Sequence, residues 1–367
     1  MLEDIVLSSS KSAQTIAFVA GNKAKDKMLQ DPAFIYRCEN PALALEAQGH
    51  DVTLIHVHDF MSSHKRFDMV VFHRPHMRDW RTRWHMSRIL RRLRKQRSVL
   101  IADFDDLVFS PDFAQFSPGY VNGLVSLKQT QKNFAAHEKI LRRFDAFIVS
   151  TQPLLEAMQQ RVEGANVHLL PNSPHLSWHR NHAQVNTPSP KEFIIKYLPG
   201  TRSHDRDFAQ VYKPLSEFLS QHPNAKLKIT GVIDEQRIRE QLDCEPKQLV
   251  FEPKRPFTEY ADVVNDGHVH IAPLEHSVFN DCKSALKAIE AGFYQRPIIA
   301  SPIPDMQRLK HEGLILANSD KEWLRALQLV YKNYEASDFR TTIEQRYSAN
   351  DHANDVLDIF KVSRANE

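Results

Sequence analysis

The chain has 367 residues, of which 42% are hydrophobic and 25% charged, and its formal net charge is only +3. This length accommodates two domains of the usual roughly 100–200 residues, and so mild a charge does not by itself indicate a nucleic-acid-binding protein. No apolar run reaches the roughly 18 residues of a membrane-spanning helix, and three scattered cysteines (Cys38, Cys244 and Cys282) argue against a disulfide framework and a cysteine-based zinc site.

The N-terminal half is predicted to alternate strands with helices. Its first residues, MLEDIVLSSSKSAQ, are acidic before they are apolar and do not resemble a signal peptide, so we expect a cytoplasmic protein. Apolar runs predict strands in Thr15–Gly21, the end of Asn40–Val57, Phe67–Pro75, Ser98–Asp106, Phe144–Thr151 and Asn166–Ser173. Such alternation is typical of right-handed βαβ units in a doubly wound parallel sheet.

A strongly basic helix is predicted between two of these strands. Arg81–Arg97 contains seven arginines and one lysine, with Trp84, Ile89, Leu90 and Leu93 at helical spacings. This pattern fits a solvated arginine-rich face, a surface for an anionic membrane or acceptor, or, less well, a nucleic-acid contact.

Polar side chains follow two neighbouring strands. His73 and Arg74 end one strand, and three acids end the next: Asp103, Asp105 and Asp106. The carboxyl ends of parallel strands line the ligand crevice of a doubly wound sheet, so both groups are expected at a cleft. The acids can hold a metal, act on a substrate hydroxyl, cap a helix or pair with a buried arginine, and His73 can be a satisfied structural residue.

A second series of strands and helices is predicted after a linker. Pro174–Glu192 is polar, contains prolines and has no clear period. Strands are then predicted in Phe193–Gly200, Lys226–Val232, Gln248–Pro253, His268–Leu274 and Arg296–Ser301, and the chain beyond about Asp320 is mostly helical. We expect an N-terminal domain of residues 1–173, a linker of 174–192, a C-terminal domain of 193–345 and a helical tail of 346–367. Two α/β domains joined in this way form a ligand cleft.

The segment Asn280–Ser301 is predicted to place charged groups on one helix face. At 100° per residue Lys283, Lys287 and Glu290 fall together, and apolar residues fall opposite. Asn280 or Asp281 is expected to cap this helix and Gly292 to end it. Lysines beside a helix N-terminus suit a phosphate, and a carboxylate two turns along can accept hydrogen bonds from sugar hydroxyls. A simple surface ion pair between Lys287 and Glu290 explains the spacing equally well.

Several motifs occur in the order found in a known family. The stretch from Lys287 to Ser301, with Glu-Ala-Gly followed by Arg-Pro-Ile-Ile-Ala-Ser, resembles the donor-site signature of retaining "group 1" glycosyltransferases of the GT-B fold. IYRCENPALALEAQGHDV resembles the family's N-terminal loop and first helix, VSTQPLLEAM and LLPNSP its interdomain elements, and LPGTRSHDRDF the turn that opens the C-terminal domain in capsule and lipopolysaccharide members. The likeness covers residues 15–350 and implies two Rossmann-like α/β domains that face a cleft.

The resemblance implies a donor site in the C-terminal domain. The candidate donor-binding residues are Gly200, Thr201, Arg202, Lys254, Lys283, Ser284, Lys287 and Glu290. Gly200 allows a ligand to approach the backbone closely, Thr201 and Arg202 can bind a diphosphate, and the family places a basic diphosphate-binding residue at the position of Lys254. Arg255 is a further candidate cation, and His204 and Asp207 hold the turn or contact the ligand. Because lysines and arginines can neutralise the charge that develops on the leaving diphosphate, no metal is required.

The acceptor side is assigned to the N-terminal domain. Tyr36 and Arg37 lie in the family's N-terminal loop, and His73 and Arg74 lie at the neighbouring strand end. The family's histidine after the next strand is replaced by acids. Asp105 and Asp106 are therefore expected to orient or deprotonate an acceptor hydroxyl, to balance cationic groups of the cleft, or to pair with Arg37 or Arg74. Glu290 is the catalytic candidate on the donor side, and Asp103 is expected to be structural.

One position departs from the family pattern. Members often have two glutamates separated by seven intervening residues; Glu290 matches the second, but Cys282 occupies the position of the first. In the family that first glutamate contacts the transferred sugar. Its loss leaves open a protein that binds phosphate or polysaccharide without catalysis.

The sequence therefore predicts a metal-independent, retaining glycosyltransferase of bacterial surface-polysaccharide assembly. It would use a nucleotide-sugar donor and a saccharide or lipid-linked acceptor, need no cofactor, bind no nucleic acid and attach peripherally to the inner membrane through Arg81–Arg97. A non-catalytic GT-B-like binder and, less favoured, a sugar-nucleotide epimerase are the alternatives.

Overall fold

Two parallel six-stranded sheets organise the chain in the computed structural model, which describes residues 13–21, 24–181, 184–186, 191–309, 311–333 and 339–365. The predicted strands are present in both halves, and every pairing of neighbouring strands is parallel. The prediction of two Rossmann-like α/β domains is confirmed.

The N-terminal sheet has the strand order β2-β1-β3-β4-β5-β6. Its strands are nearly continuous apolar runs because helices cover both faces of a parallel sheet. Their bounds are β1 Thr15–Ala20, β2 Asp51–His56, β3 Met69–His73, β4 Val99–Phe104, β5 Ala146–Val149 and β6 Val167–Leu169.

The C-terminal sheet has the order β12-β11-β10-β7-β8-β9. Its bounds are β7 Phe193–Tyr197, β8 Ala225–Thr230, β9 Leu249–Glu252, β10 Val269–Ala272, β11 Ile298–Ala300 and β12 Leu314–Leu316. In each sheet the order reverses next to the first strand of the domain, which is the switch point where doubly wound folds bind ligands.

Helices pack on the two sheets. In chain order they are α1 Pro32–Phe34, α2 Asn40–Ala47, α3 Val57–Ser62, α4 Trp80–Lys95, α5 Pro118–Val121, α6 Leu127–Glu138, α7 Gln152–Arg161, α8 Leu176–Asn181, α9 Asp205–Ala209, α10 Tyr212–Gln221, α11 Glu235–Gln241, α12 Phe257–Val264, α13 Val278–Asp281, α14 Leu286–Phe293, α15 Pro304–Leu309, α16 Asp320–Lys332, α17 Phe339–Arg346 and α18 Ala349–Ala365. Between α1 and α2 the helical path widens into a π-helical segment, Ile35–Glu39. Within the described residues none of the helices is both long and apolar enough to cross a bilayer.

The predicted single helix from Asn280 to Gly292 is wrong. Two helices, α13 and α14, are separated by a break at residues 282–285. The side chain of Ser277 caps α13 by accepting a hydrogen bond from the Asn280 N–H, and Gly292 lies inside α14 rather than beyond its end. Lys283 therefore lies in the break, outside the helix that carries Lys287 and Glu290.

Two segments connect the domains closely. The predicted linker contains α8, whose Trp178 is 1% exposed and packs among aromatic rings of the C-terminal domain. The final helix, α18, returns to the N-terminal sheet and buries Ala353, Val356 and Phe360 in its core. The tail predicted over residues 346–367 is thus a structural part of the N-terminal domain in its described residues.

Candidate functional site

Direct side-chain contacts join the carboxyl edges of the two sheets. Tyr36 hydrogen-bonds Glu290, and Asp106 forms an ion pair with Lys283. The Asn172 side chain donates to the Ser284 hydroxyl at 2.9 Å. These contacts bring residues from the predicted acceptor and donor sides together at one junction.

Glu290 lies at the centre of this junction and is 1% exposed. Its carboxylate accepts hydrogen bonds from the hydroxyls of Tyr36 at 2.7 Å and Tyr260 at 3.2 Å. The ammonium group of Lys287 lies 2.9 Å away, one helical turn back along α14. The predicted pairing of Lys287 with Glu290 is present, but burial of the carboxylate rules out a simple surface pair.

Burial and charge perturb the groups around Glu290 in a consistent direction. Burial, and next the Glu290 carboxylate, raise the pKa of Tyr36 and of Tyr260. Burial on its own lowers the pKa of Lys287, but the charge of Glu290 and the contact with Tyr260 outweigh it and raise that pKa above its usual range. At neutral pH the junction therefore contains two protonated hydroxyls and an ammonium group that all donate to one carboxylate.

The backbone explains why Tyr36 and Arg37 reach the junction. Both lie in the π-helical segment Ile35–Glu39, and both are buried. Such widened turns redirect side chains and occur often at functional sites. Tyr36 points to Glu290 of the other domain, whereas Arg37 stays within its own domain.

A four-residue charge network crosses the cleft beside Glu290. Arg74 contacts Asp105 through Nε at 2.5 Å and Asp106 through Nη2 at 2.8 Å, and Lys283 bonds Asp106 at 2.8 Å. Arg74 has a φ of 45°, a strained conformation for a residue other than glycine. Burial raises the pKa of Asp105, but the charge of Arg74 dominates and holds it below its usual range.

Asp103 belongs to a separate buried cluster. Its carboxylate accepts from Arg37 at 2.7 Å and lies 2.8 Å from Nδ1 of His73. The other ring nitrogen, Nε2 of His73, is buried without a hydrogen-bond partner among the described residues and lies 4.0 Å from Asp105. Asp103, His73 and Cys38 are close enough to bind one metal ion, but the Arg37 guanidinium already neutralises Asp103 and would repel a cation.

The remaining predicted donor residues lie in separate surroundings. Arg202 is half exposed and pairs with Asp234 at 2.7 Å, and the hydroxyl of Thr201 bonds Ser203. Lys254 is exposed after β9, and no hydrogen bond or ion pair of the described residues engages its ammonium group. Its neighbour Arg255 lies 3.5 Å from Glu259.

The space around Gly200 is open, so the predicted close approach of a ligand to its backbone stays a prediction. A Cβ atom at Gly200 would meet only open space. Gly231, on the adjacent strand end, has a φ of 151°, and a Cβ there would lie 2.1 Å from the carbonyl oxygen of Pro199. The tight approach between these two loops therefore depends on Gly231.

One backbone N–H at the predicted phosphate position is already bonded within the protein. The N–H of Ala285, directly before α14, donates to the Asp305 carboxylate at 2.7 Å. This carboxylate offers the negative charge that a helix N-terminus favours. A phosphate that accepted the Ala285 N–H would have to displace Asp305.

Cys282 contributes to an apolar contact between the domains. It is 4% exposed and packs with Phe279 into the core of the N-terminal domain, while the Thr151 hydroxyl donates to its carbonyl at 3.0 Å. Burial raises the pKa of the Cys282 thiol to about 12, so this side chain is a neutral packing group.

A cavity of about 240 Å³ lies between the domains beside these contacts. Its wall on the N-terminal side includes Phe116, Pro118 and Val121, and its opposite wall includes Arg206, Glu275 and Asn280. The prediction that His204 and Asp207 hold a turn agrees with the 2.8 Å contact between their side chains. The sequence reasoning missed Glu275 and did not assign a ligand role to Asn280.

Comparisons with known proteins identify the fold. No family model matches the chain, and no curated protein matches it. Among solved structures, Anabaena Alr3699/HepE in complex with UDP and glucose has a TM-score of 0.60 at 12% identity, covering 95% of this chain and 99% of its own. A mutant of S. aureus TarM in complex with fondaparinux, α-GlcNAc-glycerol and UDP has a TM-score of 0.55 at 13% identity over 80% of this chain, which spans only 55% of TarM.

A third solved structure of similar fold is named as an epimerase. A putative UDP-N-acetylglucosamine 2-epimerase from Listeria monocytogenes has a TM-score of 0.56 at 11% identity, covering 96% of this chain and 98% of its own. At these identities the likeness shows the fold alone. The chain has the GT-B arrangement of two Rossmann-like domains.

Proposed function

We propose that the protein is a glycosyltransferase that uses a nucleotide-sugar donor. The observation that carries the proposal is the junction at Glu290, where a buried carboxylate, lysines and hydroxyl groups from both domains meet at the carboxyl edges of two Rossmann-like sheets. This is the place where such folds bind nucleotides. Structures of similar fold contain UDP with glucose, or UDP with a glycosylated glycerol, which are the kinds of molecule involved in sugar transfer.

Cationic side chains can replace a metal in this reaction. As the bond to the sugar breaks, negative charge develops on the leaving diphosphate, and fixed cations stabilise it. Lys283, in the break before α14, and Lys287, in the first turn of α14, both lie at the junction, and Lys254 is exposed shortly after β9. We include metal independence and retention of anomeric configuration in the proposal.

Donor binding would also rearrange the charge network. Lys283 is bonded to Asp106, so a phosphate that takes Lys283 must replace that carboxylate. Asp106 would then keep only Arg74 as a cationic partner and be available to an acceptor hydroxyl. Binding of the donor and preparation of the acceptor-side acid are coupled in this scheme.

The proposal is tested by donor turnover with UDP-, GDP- and CDP-sugars, with and without EDTA. Glu290→Ala should abolish donor use, and Glu259→Ala, which removes an exposed glutamate of α12, is the matched control and should leave it unchanged. No turnover of any donor with a lipid extract would contradict the enzyme, and loss of activity in EDTA would contradict metal independence. Unchanged kinetics in Glu290→Ala would remove that residue from the site.

Two alternatives have specific support. The Listeria putative epimerase shares the fold over nearly the full length of both chains; conversion of UDP-N-acetylglucosamine to its 2-epimer without an acceptor would establish that function instead. A non-catalytic binder is favoured by Cys282, which is buried in an apolar contact. Nucleotide-sugar binding without turnover or epimerisation would support the binder.

We further propose that α4 attaches the protein to an anionic membrane, where a polysaccharide-assembly enzyme would meet a lipid-linked acceptor. Trp80 and Trp84 are 74% and 52% exposed, and Arg88 lies 4.6 Å from the Trp84 ring. Tryptophan favours the bilayer interface, and each basic residue near an anionic surface adds about 1 kcal/mol. Arg92 is not part of this surface, because its guanidinium donates to backbone carbonyls, including that of Phe60 at 2.9 Å.

Vesicle sedimentation tests this attachment. Vesicles containing phosphatidylglycerol should sediment the protein, and pure phosphatidylcholine vesicles should not. Trp80→Ala with Trp84→Ala should weaken the binding, whereas Leu329→Ala, an exposed apolar residue of α16, should not. Equal binding by the double variant would contradict the proposed surface.

A further inference from the structure

A continuous series of polar and charged side chains runs from the buried core of the N-terminal domain to the cleft. In order its members are Arg37, Asp103, His73, Asp105, Arg74, Asp106 and Lys283, and neighbours in the series lie at most 4.0 Å apart. Positive and negative charges alternate along the whole series when His73 is protonated. A neutral His73 leaves one position of this alternation without its charge.

Asp103 determines which nitrogen of His73 carries the proton of the neutral ring. One carboxylate oxygen of Asp103 accepts from Arg37 at 2.7 Å, and the other lies 2.8 Å from Nδ1 of His73. Burial raises the pKa of Asp103, but the charge of Arg37, and after it His73, outweigh burial and hold that pKa below its usual range. Because the ionised carboxylate can only accept, Nδ1 donates to it and Nε2 keeps a free lone pair.

This lone pair belongs to a buried atom that faces a second acceptor. Nε2 of His73 has no hydrogen bond among the described residues, and Oδ1 of Asp105 lies 4.0 Å from it. Asp105 is ionised near neutral pH, since Arg74 holds its pKa low. A buried acceptor without a donor is uncommon in proteins. One proton on Nε2 would satisfy both atoms after a closing movement of about 1 Å, because an N–H···O bond spans about 3 Å.

Asp105 connects the buried nitrogen to the cleft. Its side chain is 13% exposed, whereas that of His73 is 1% exposed, so a ligand hydroxyl can reach Asp105 but not His73. The guanidinium of Arg74 is shared between Asp105 and Asp106. When a phosphate takes Lys283 from Asp106, that guanidinium is the remaining cation of two carboxylates, and Asp105 becomes a better proton acceptor.

The surroundings of His73 leave Asp105 as its route to the cleft. On β1 its sheet neighbour is the apolar Ala20. Among the described residues, the titratable and charged groups that face it are Asp103 from β4, Asp105 from the loop after β4, Arg37 and Cys38 from the π-helical segment, and Arg74 from its own strand end. Burial raises the pKa of Cys38, so its thiol is neutral near pH 7 and contributes no charge.

We infer that His73 is a positioning residue that holds the proton released by the acceptor hydroxyl. The inference rests on the proposed function, because it follows one proton through glycosyl transfer. The O–H bond of the acceptor breaks as its oxygen bonds to the sugar carbon, and the nucleoside diphosphate leaves with the electron pair of the broken bond. The proton passes to Asp105 and then to Nε2 of His73. The imidazolium lies between the carboxylates of Asp103 and Asp105, and its proton returns to water through Asp105 when the products leave.

The kinetics of His73→Asn test this path. Asparagine can still donate to Asp103 from the position of Nδ1, but it has no atom at the position of Nε2. The kcat should fall by at least about 10-fold, since a positioned acid or base contributes roughly 100- to 10,000-fold and Asp105 retains part of that effect. The KM for the donor and the affinity for UDP should not change. The acid limb of the kcat profile should move to lower pH, because a carboxylate stays ionised in more acidic solution than an imidazole stays neutral.

A matched control is available in the same domain. His137 is also buried, and its Nδ1 contacts the carbonyl of Pro75 at 2.8 Å. His137→Asn should leave both kcat and its pH profile unchanged. An unchanged kcat and profile in His73→Asn, or equal effects of the two substitutions, would overturn the inference.

An NMR titration separates the inference from the proposed function. In protein labelled with ¹⁵N-histidine, the His73 signals are identified by their loss in His73→Asn. Asp105→Asn should lower the pH at which His73 protonates, because the imidazolium loses one of its two carboxylates, and Asp112→Asn, which changes an exposed acid, should not.

The combined outcomes are distinct. A His73 titration that depends on Asp105, without turnover of any donor, would uphold the proton site and contradict the glycosyltransferase. Donor turnover that His73→Asn does not affect would uphold the function and overturn the inference. A His73 titration that Asp105→Asn does not change would overturn the inference whatever the turnover.

Discussion

The hydrogen bond between Tyr36 and Glu290 can be removed by deleting a single oxygen atom, the hydroxyl oxygen of Tyr36. In Tyr36→Phe the ring keeps its packing against Phe257 and Trp178, but one oxygen of the 1%-exposed Glu290 carboxylate loses its donor. A hydrogen bond to a charged group contributes about 1.5–3 kcal/mol, and a buried unsatisfied oxygen adds its own cost. We expect the free energy of unfolding to fall by about 2–3 kcal/mol, measured as a lower urea midpoint in tryptophan fluorescence.

A control lies in the same aromatic cluster. The hydroxyl of Tyr294 is buried and has no hydrogen-bond partner among the described residues. Tyr294→Phe should therefore be neutral or stabilising, because it removes an unpaired polar group. Equal midpoints for the two variants, or a Tyr36→Phe midpoint equal to that of the wild type, would refute the reasoning.

A double-mutant cycle isolates the contact itself. Glu290→Gln with Tyr36→Phe should show a coupling energy of at least about 1 kcal/mol, since each single variant already removes the charged hydrogen bond. Tyr36→Phe should also strengthen donor binding if Glu290 binds the donor, because the ligand no longer competes with the Tyr36 hydroxyl. Weaker donor binding would show that Tyr36 itself contacts the ligand.

Three further predictions concern buried charge. Asp103→Asn leaves the Arg37 guanidinium without its carboxylate and should cost about 3–5 kcal/mol in urea unfolding; a loss below about 1 kcal/mol would contradict a structural ion pair. Burial lowers the pKa of His137 and of His270 to about 3. Both are neutral in the fold but protonate in the unfolded chain below about pH 6.5, so stability should fall from pH 6.5 to pH 4 by up to about 1.4 kcal/mol per pH unit for each residue. A flat urea midpoint over this range would be inconsistent with their burial. Cys282→Glu restores the family's carboxylate but places a charge in an apolar contact, so it should lower the melting temperature and leave donor turnover no higher; higher turnover would show that the position faces the donor.

The two-domain fold was predictable because local pattern and tertiary structure agree. Each parallel strand is buried on both faces, so runs such as Thr15–Ala20 and Val99–Phe104 are almost wholly apolar and stand out in the sequence. The polar residues at the ends of β3 and β4 were expected at the cleft, and Arg74, Asp105 and Asp106 do lie there in one network.

The local geometry of the donor segment was not predictable from helical periodicity. Counting 100° per residue assumes one continuous helix from Asn280, but Asp305 binds the backbone N–H of Ala285 and helps to hold a break there. That partner lies 20 residues further along the chain. Helical periodicity still predicted correctly that Lys287 and Glu290 share one helix face, because both lie within α14.

Pairing across domains was the information that the sequence lacked. Nothing local to Tyr36 indicates that its hydroxyl meets Glu290, which is 254 positions away. The sequence around Tyr36 also did not indicate that this segment is π-helical. The same limit applies to Glu275. A single glutamate after a strand gives no indication that it will contact Asp207, Arg206 and Asn280.

The two domains are joined by reciprocal insertion. Phe279 and Cys282 of the C-terminal domain pack in the core of the N-terminal domain, and Tyr36 of the N-terminal domain packs in the aromatic cluster of the other. Opening the cleft by rigid rotation would have to expose both sets of buried side chains. A ligand that replaces Asp106 at Lys283 needs only local exchange of a charged partner. Contact with Glu290, by contrast, requires the Tyr36 hydroxyl to move away. A crosslink that holds the domains together should therefore spare a phosphate that binds only Lys283 and hinder a donor that reaches Glu290.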